Sequence, residues 1–261
     1  MHPHPGGFES ECWVVDDIWF VKVWRSTEPP SGLGLLGALA DAGLPVPVPI
    51  PSATGALCAS WQDRPYAVFP FVHGRRQTDA DWQLAARALK QVHDIPGIDL
   101  RPATMAEPEI WQLRERLDHP WIRDRADEVA DNIRRLEDVM TRAAAKNVRN
   151  VLCHRDFGGH NVLVDDGELV AILDWDAAAL APREHDVWVA AELQHAESFL
   201  TEYGARDLDL DHVEYALLAR ALRDMAARVL TERDRPGVDT WGFQRIARLG
   251  RDLDLFRPFC A

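Results

Sequence analysis

Residues 154–161 read His154-Arg155-Asp156-Phe157-Gly158-Gly159-His160-Asn161, and Asp174-Trp175-Asp176 follow a short distance on. The first run fits H-R-D-x-x-x-x-N, a pattern in which the aspartate positions an attacking hydroxyl and the asparagine holds Mg²⁺. Asp174 ends the apolar run LVAIL, a strand end that aims a carboxylate into a cleft. Mg²⁺ takes hard oxygen ligands, a few from protein and the rest from phosphates and water. Asn161 and Asp174 are therefore the candidate metal ligands, and Asp156 and His154 the candidate catalytic residues. A lone H-x-D carries no weight, and an isolated aspartate after a strand is more often a turn or cap residue. The full set, H-x-D, Asn five later, a two-strand hairpin and then D-x-D, is far rarer.

Working outward, the runs VLC, NVLV and LVAIL read as strands, the last two split by the turn Asp165-Asp166-Gly167-Glu168. Ahead of them, residues 11–25 read as two strands joined at Asp16-Asp17, rich in Val, Trp, Ile and Phe. A short helix is expected from Leu33 to Ala42, ended by Gly43. LPVPVPIPS has four prolines and reads as extended. Two more strand-like stretches flank Gln62-Asp63-Arg64-Pro65. From Asp79 to His93 the apolar positions Trp82, Ala85, Ala86, Leu89 and Val92 recur at helical spacing. Residues 107–146 carry further helical pattern, interrupted near His119-Pro120, and so does the chain after Asp186, with breaks near Asp207 and Pro236-Gly237. The organisation is a small β-rich front and a larger helical rear, with a tight β-hairpin set into it. The start, MHPHPGGFES, reads as a frayed polar terminus without a secretory signal.

The chain has 261 residues, enough for one large domain or two lobes. Its net charge of −13 argues against nucleic acid or an anionic membrane as partner and suits a cationic or neutral small molecule. Simple solubility explains the charge as well. Four scattered cysteines without a C-x-x-C pair point away from disulfides and structural zinc and fit a reducing cytoplasm.

The segment 154–176 resembles the catalytic and metal-binding core of the aminoglycoside-phosphotransferase family, relatives of the protein kinases. Asp186-Val187-Trp188 resembles that family's buried step after the metal site. FLTEYGARDLDLDHVEYALLARALRDM resembles its rear helices, with a Tyr-Gly turn. The resemblance implies an α+β, bilobal, protein-kinase-like fold. Residues 1–72 would be the nucleotide-binding lobe and 73–261 the larger, mainly helical lobe. It also implies ATP or GTP and Mg²⁺ as cofactors and a small-molecule hydroxyl acceptor, in a monomer or dimer. Residue by residue, Gly6, Gly7 and Ser10 would belong to the loop over the phosphates. Lys22 would contact the α- and β-phosphates, and Pro70 and Val72 would flank the adenine by backbone groups. The family's helix glutamate that pairs with the strand lysine has no clear counterpart: its position falls near Gly32, and Glu28 is the nearest acid. Arg155 stands where relatives more often have a small residue. The resemblance also implies a missing leading helix, because the chain begins just before the glycines.

A protein kinase would need a longer segment between Asp176 and Asp186 and an A-P-E ending. A nucleotide-binding pseudokinase stays open, although His154, Asp156, Asn161, Asp174 and Lys22 are all present. A metallohydrolase would leave Asn161 and Lys22 without roles. Asp176, Glu192, Glu197 and Glu202 are acceptor-site candidates, since carboxylates would pair with the ammonium groups of an aminoglycoside. A solvated acidic helix face explains most of them equally well. Relatives also phosphorylate macrolide, nucleoside and peptide antibiotics, choline, homoserine and sugars.

Overall fold

The computed structural model describes residues 1–4, 10–105, 107–231 and 240–261. Gly6 and Gly7, and the expected break at Pro236-Gly237, lie outside the described residues. The chain divides into two compact units, residues 1–101 with 151–180, and residues 102–150 with 181–261.

The first unit is built on a five-stranded antiparallel sheet in the order β1-β2-β3-β5-β4. Its strands are β1 (His2–His4), β2 (Ser10–Val15), β3 (Trp19–Trp24), β4 (Ala59–Trp61) and β5 (Arg64–Pro70). β2 and β3 meet at Asp16-Asp17, and β4 and β5 at Gln62-Asp63. All four of these residues have positive φ, between 51° and 60°. Tight hairpin turns use this conformation because their twist matches that of the flanking strands; β4 and β5 are joined by two residues, and β2 and β3 by three, Ile18 following the pair. The same chemistry recurs at Asp166-Gly167 between β8 (Val162–Asp165) and β9 (Glu168–Ile172), with φ of 45° and 80°. β6 (Arg75–Arg76) pairs with β8 to complete a three-stranded sheet. The polar terminus is not frayed: His2, Pro3 and His4 pair with Val14, Trp13 and Cys12. The edge of β2 offers unpaired backbone groups, and hydrogen bonding to them outweighs the low strand propensity of the segment.

After β3 a 3₁₀ turn (Ser31–Leu35) runs into α1 (Leu36–Asp41). The proline-rich stretch stays extended and is tied to the sheet by the Ile50 N–H, which donates to the Val68 carbonyl at 2.7 Å. α2 (Trp82–Asp94) buries Ala85, Ala86, Leu89 and Val92, the stripe expected from its spacing; Trp82 is only half-buried.

A capping box precedes α2. The buried Asp81 carboxylate accepts from Arg75 Nη1 and Nη2 at 2.6 and 2.8 Å and from Thr78 N and Oγ1 at 2.9 and 3.0 Å. Hydrogen bonding from Arg75 holds the Asp81 carboxyl well below the usual carboxylate range. A depressed folded-state pKa contributes stability that is present above the unfolded value of about 3.9 and lost as pH falls through the folded value. Asp81→Ala should therefore lower the melting temperature at pH 7, the cap alone costing about 1 kcal/mol. The difference from wild type should shrink in melts taken below pH 3.

The second unit is helical. α3 (Pro108–Arg114), α4 (Ala126–Ala144), α5 (Glu184–Val187) and α8 (Trp241–Phe256) pack on α7 (Leu210–Thr231). α4 buries Val129, Ile133, Leu136, Val139 and Ala143, a single stripe at helical spacing. α7 is buried along most of its length, and a fully buried leucine such as Leu218 or Leu222 contributes about 1.5–3 kcal/mol. Buried Glu107 is matched by the Tyr215 hydroxyl. The Tyr-Gly turn ends α6 (Ala196–Tyr203), with Gly204 at φ 80°, where a β-carbon would be strained. Asp186 is fully buried, as the resemblance implies. All four cysteines are free thiols. Among the described residues, no helix is long and apolar enough to cross a membrane.

Candidate active site

The candidate residues of the core motif, together with Lys22, Ser10, Pro70 and Val72, all belong to the first unit. The loop 154–161 leaves β7 (Asn150–Cys153) and returns into β8. Its shape is held from within. The Asn161 N–H donates to the Gly158 carbonyl at 2.8 Å, and Asn161 Nδ2 donates to both the Asp156 carbonyl and Asp156 Oδ2 at 3.0 Å. His160 Nε2 donates to the same Oδ2 at 3.2 Å. Arg155 sits at φ 66°, a left-handed conformation a glycine would enter more easily.

His154 is fully buried, its ring close to those of Phe157 and Trp175. Its Nε2 donates to the Leu173 carbonyl at 2.8 Å, and its Nδ1 accepts from the Asp156 N–H at 3.3 Å. With both nitrogens engaged by backbone groups, His154 braces the loop against the segment ahead of Asp174. That brace is tightened by the Leu173 N–H, which donates to the Asn161 carbonyl at 2.7 Å. Two residues twelve apart in sequence are thus tied together.

Asp174 then turns the chain at φ 60°, ψ 65°. Its Oδ1 accepts from Lys22 Nζ at 2.8 Å, while Asp176 Oδ2 accepts from the same nitrogen at 2.7 Å. Lys22 is buried on β3 between Cys12 and Ala67 of the neighbouring strands, whose small side chains leave room for its stem. Trp24, two residues on and so on the same face, donates from Nε1 to Asp176 Oδ2 at 2.6 Å. Burial pulls the lysine pKa down, but the two carboxylates outweigh it and the pKa stands above its ordinary value. Asp176 is raised as well, first by its own burial and further by the charge of Asp174, because two acids crowd one cation.

The donor chemistry here suits a hard divalent cation. The Asp174 side chain is 41% exposed, and Asn161 Oδ1 accepts no hydrogen bond among the described residues. A carboxylate and an amide oxygen are the ligand types Mg²⁺ takes, and the Leu173–Asn161 backbone bond joins the two segments that carry them. Ser10 begins β2, buried, with its hydroxyl 3.6 Å from Cys12 Sγ. Beyond β5 the Phe71 N–H donates to the Ile18 carbonyl at 2.7 Å, whereas the Val72 N–H makes no hydrogen bond among the described residues.

The acidic candidates of the second unit fare differently. Glu192 is paired with Arg245 (3.1 Å) and with Arg248. Asp209 and Asp211 pair with Lys146, and Glu214 with Arg135 and Arg142. Glu197 is an exposed residue in the first turn of α6, and Glu202 lies near its end, half-buried. Trp24 and His160 were not singled out in the sequence. The period-2 face shared with Lys22 is the signal that could have found Trp24.

The chain is similar to several known proteins. The chain is 30% identical to a homoserine kinase of Sinorhizobium fredii over 166 residues, 60% of this chain and 49% of that protein. It is 23% identical to a 3-deoxy-D-manno-octulosonic acid kinase of Photobacterium profundum over 208 residues, 79% of this chain and 67% of that one. The chain spans about half the length of the homoserine kinases it matches. Among solved structures, spectinomycin phosphotransferase APH(9)-Ia with ADP and spectinomycin superposes with a TM-score of 0.72 at 18% identity. That match covers 97% of this chain and 93% of the other. The gentamicin complex of APH(2")-IIa gives 0.63 at 15% identity, covering 97% and 92%. These likenesses show a kinase-like fold, with an antiparallel sheet in the N-terminal part and a helical C-terminal region. The model of the phosphotransferase enzyme family matches residues 1–235, and the chain belongs to that family.

Proposed function

We propose that this protein transfers the γ-phosphate of a nucleoside triphosphate to a hydroxyl of a small molecule. The observation that carries the reading is the convergence, inside one unit, of Lys22 with Asp174 and of Asp156 with Asn161. Asp156 orients the acceptor hydroxyl and takes its proton, and Lys22 contacts the phosphates. Asn161 Oδ1 and the Asp174 carboxylate would hold Mg²⁺, which when bound neutralises phosphate charge. His154 positions Asp156 through the loop. The loop with Gly6, Gly7 and Ser10 covers the phosphates, and the Val72 N–H with the Pro70 carbonyl flanks the adenine. In this division residues 1–72 form the nucleotide lobe and residues 73–261 the catalytic and acceptor lobe. Screening purified protein with ATP and GTP against a panel of hydroxyl acceptors tests the reading, and no turnover on any of them would favour a nucleotide-binding pseudokinase.

For the acceptor, the first reading is an antibiotic such as an aminoglycoside, supported by the overall likeness to kinases of that class. One observation favours a second reading, a small metabolite that is not polycationic. Glu192 is already neutralised by Arg245 and Arg248, so this candidate is not open to a cationic acceptor. The names of the matched relatives, kinases of homoserine and of an acidic sugar, lean the same way. Ion pairs with a polycation are screened over a Debye length of about 8 Å at physiological ionic strength. An aminoglycoside acceptor should therefore show a KM that rises steeply with salt while kcat changes little. Glu197→Gln with Glu202→Gln should reproduce part of the rise at low salt. A KM that stays flat with salt selects the second reading.

A further inference from the structure

Lys22 is held by two carboxylates, and they are not equivalent. Asp174 is 41% exposed and turned outward, whereas the Asp176 side chain is 19% exposed and pinned by Trp24 Nε1 at 2.6 Å. No acid on the helical segment after β3 competes for the lysine. Between Ser31 and Asp41 the one acid is Asp41 itself, exposed at the far end of α1, and Glu28 is exposed ahead of Pro29-Pro30. The segment could not carry an acid at Gly32 without moving. A β-carbon there would lie 1.9 Å from the Trp175 carbonyl oxygen, so the 3₁₀ turn packs on residues 174–176 through bare backbone.

We propose that Asp176 is the positioning residue that keeps Lys22 aimed at the nucleotide phosphates, leaving Asp174 to the metal. The proposal rests on the kinase reading above and assigns Asp176 to the lysine rather than to the acceptor. The division follows from accessibility. The exposed Asp174 carboxylate would be the one to hold the cation of a metal-bound nucleotide, in exchange for its lysine contact. Asp176, buried and locked by an indole N–H, keeps its own. Gly32 makes the arrangement possible by letting the first helical segment close on the 174–176 turn.

Binding of ADP and of GDP, measured by calorimetry in EDTA and then in Mg²⁺, tests this with Lys22→Ala, Asp176→Asn, Asp176→Glu and the double variant Lys22→Ala/Asp176→Asn. Melting curves are taken on each. A hydrogen bond to a charged group sets the scale, roughly tenfold or more in affinity. Asp176→Asn should weaken metal-free nucleotide binding about tenfold, as Lys22→Ala does, and the double variant should lose no more than Lys22→Ala alone. Asp176→Glu should recover part of the loss, and the Mg²⁺ concentration at half-saturation should not move. Should Asp176→Asn fail to fold, Trp24→Phe, which removes the donor on Asp176 and leaves both charges, should give a smaller loss that again vanishes in the Lys22→Ala background. Additive losses, or a raised Mg²⁺ requirement with normal metal-free binding, would overturn the role of Asp176 alone. A Lys22→Ala variant that binds nucleotide normally would overturn it together with the nucleotide reading of Lys22.

Discussion

Asp156→Asn should leave melting temperature and nucleotide affinity near wild type and cut turnover by roughly 10²- to 10⁴-fold, the usual range for a general base. The substitution is nearly isosteric. The amide oxygen can take the place of Oδ2 and keep the bonds from Asn161 Nδ2 at 3.0 Å and His160 Nε2 at 3.2 Å. The loop should therefore hold its shape, and what is lost is the anionic acceptor for the hydroxyl proton. Steady-state kinetics with the best acceptor from the panel reads the effect. Turnover within a few-fold of wild type would remove Asp156 from the role.

Asp174→Ala should have the second large effect, at the nucleotide rather than at the acceptor. The variant removes the exposed carboxylate next in sequence to Leu173, whose N–H is bonded to the Asn161 carbonyl. Affinity for ADP with Mg²⁺ should fall on the order of 100-fold, a loss of about 2.7 kcal/mol. Metal-free binding should stay within a few-fold, since Lys22 keeps Asp176 as partner. Asn161→Ala should weaken metal-dependent binding less, a neutral amide being the poorer ligand. Calorimetry with and without Mg²⁺ separates these outcomes. Equal loss with and without metal in Asp174→Ala would mean that the residue serves the fold of the site and not the cation.

The local part of this protein was open to reading from one sequence. Asp16-Asp17, Gln62-Asp63 and Asp166-Gly167 announced three hairpins, because tight turns between twisted strands demand residues that tolerate positive φ. The stripe on α2 and the Tyr-Gly stop after α6 were equally legible, since helical period and capping act within a few residues. The spacing of His154, Asp156, Asn161 and Asp174 told what chemistry to look for, as the loop and hairpin that gather them are themselves local.

Pairing across the fold was decided elsewhere. Lys22 and Asp174 stand 152 positions apart, and nothing near Lys22 said that its partners would be Asp174 and Asp176 in place of a helix acid. That choice depends on Gly32 lying against the Trp175 carbonyl and on Trp24 reaching Asp176, contacts that exist only after the sheet and the turn have packed. Glu192 reads as an open carboxylate in the sequence, yet Arg245 and Arg248, more than fifty positions later, neutralise it. His2–His4 reads as a loose end, and the open edge of β2 makes it a strand. Turn geometry and amphipathic period are properties of a short stretch of chain. Which charge meets which is settled by burial, where an ion without a partner costs several kcal/mol and the packed structure admits only the partners it brings within reach.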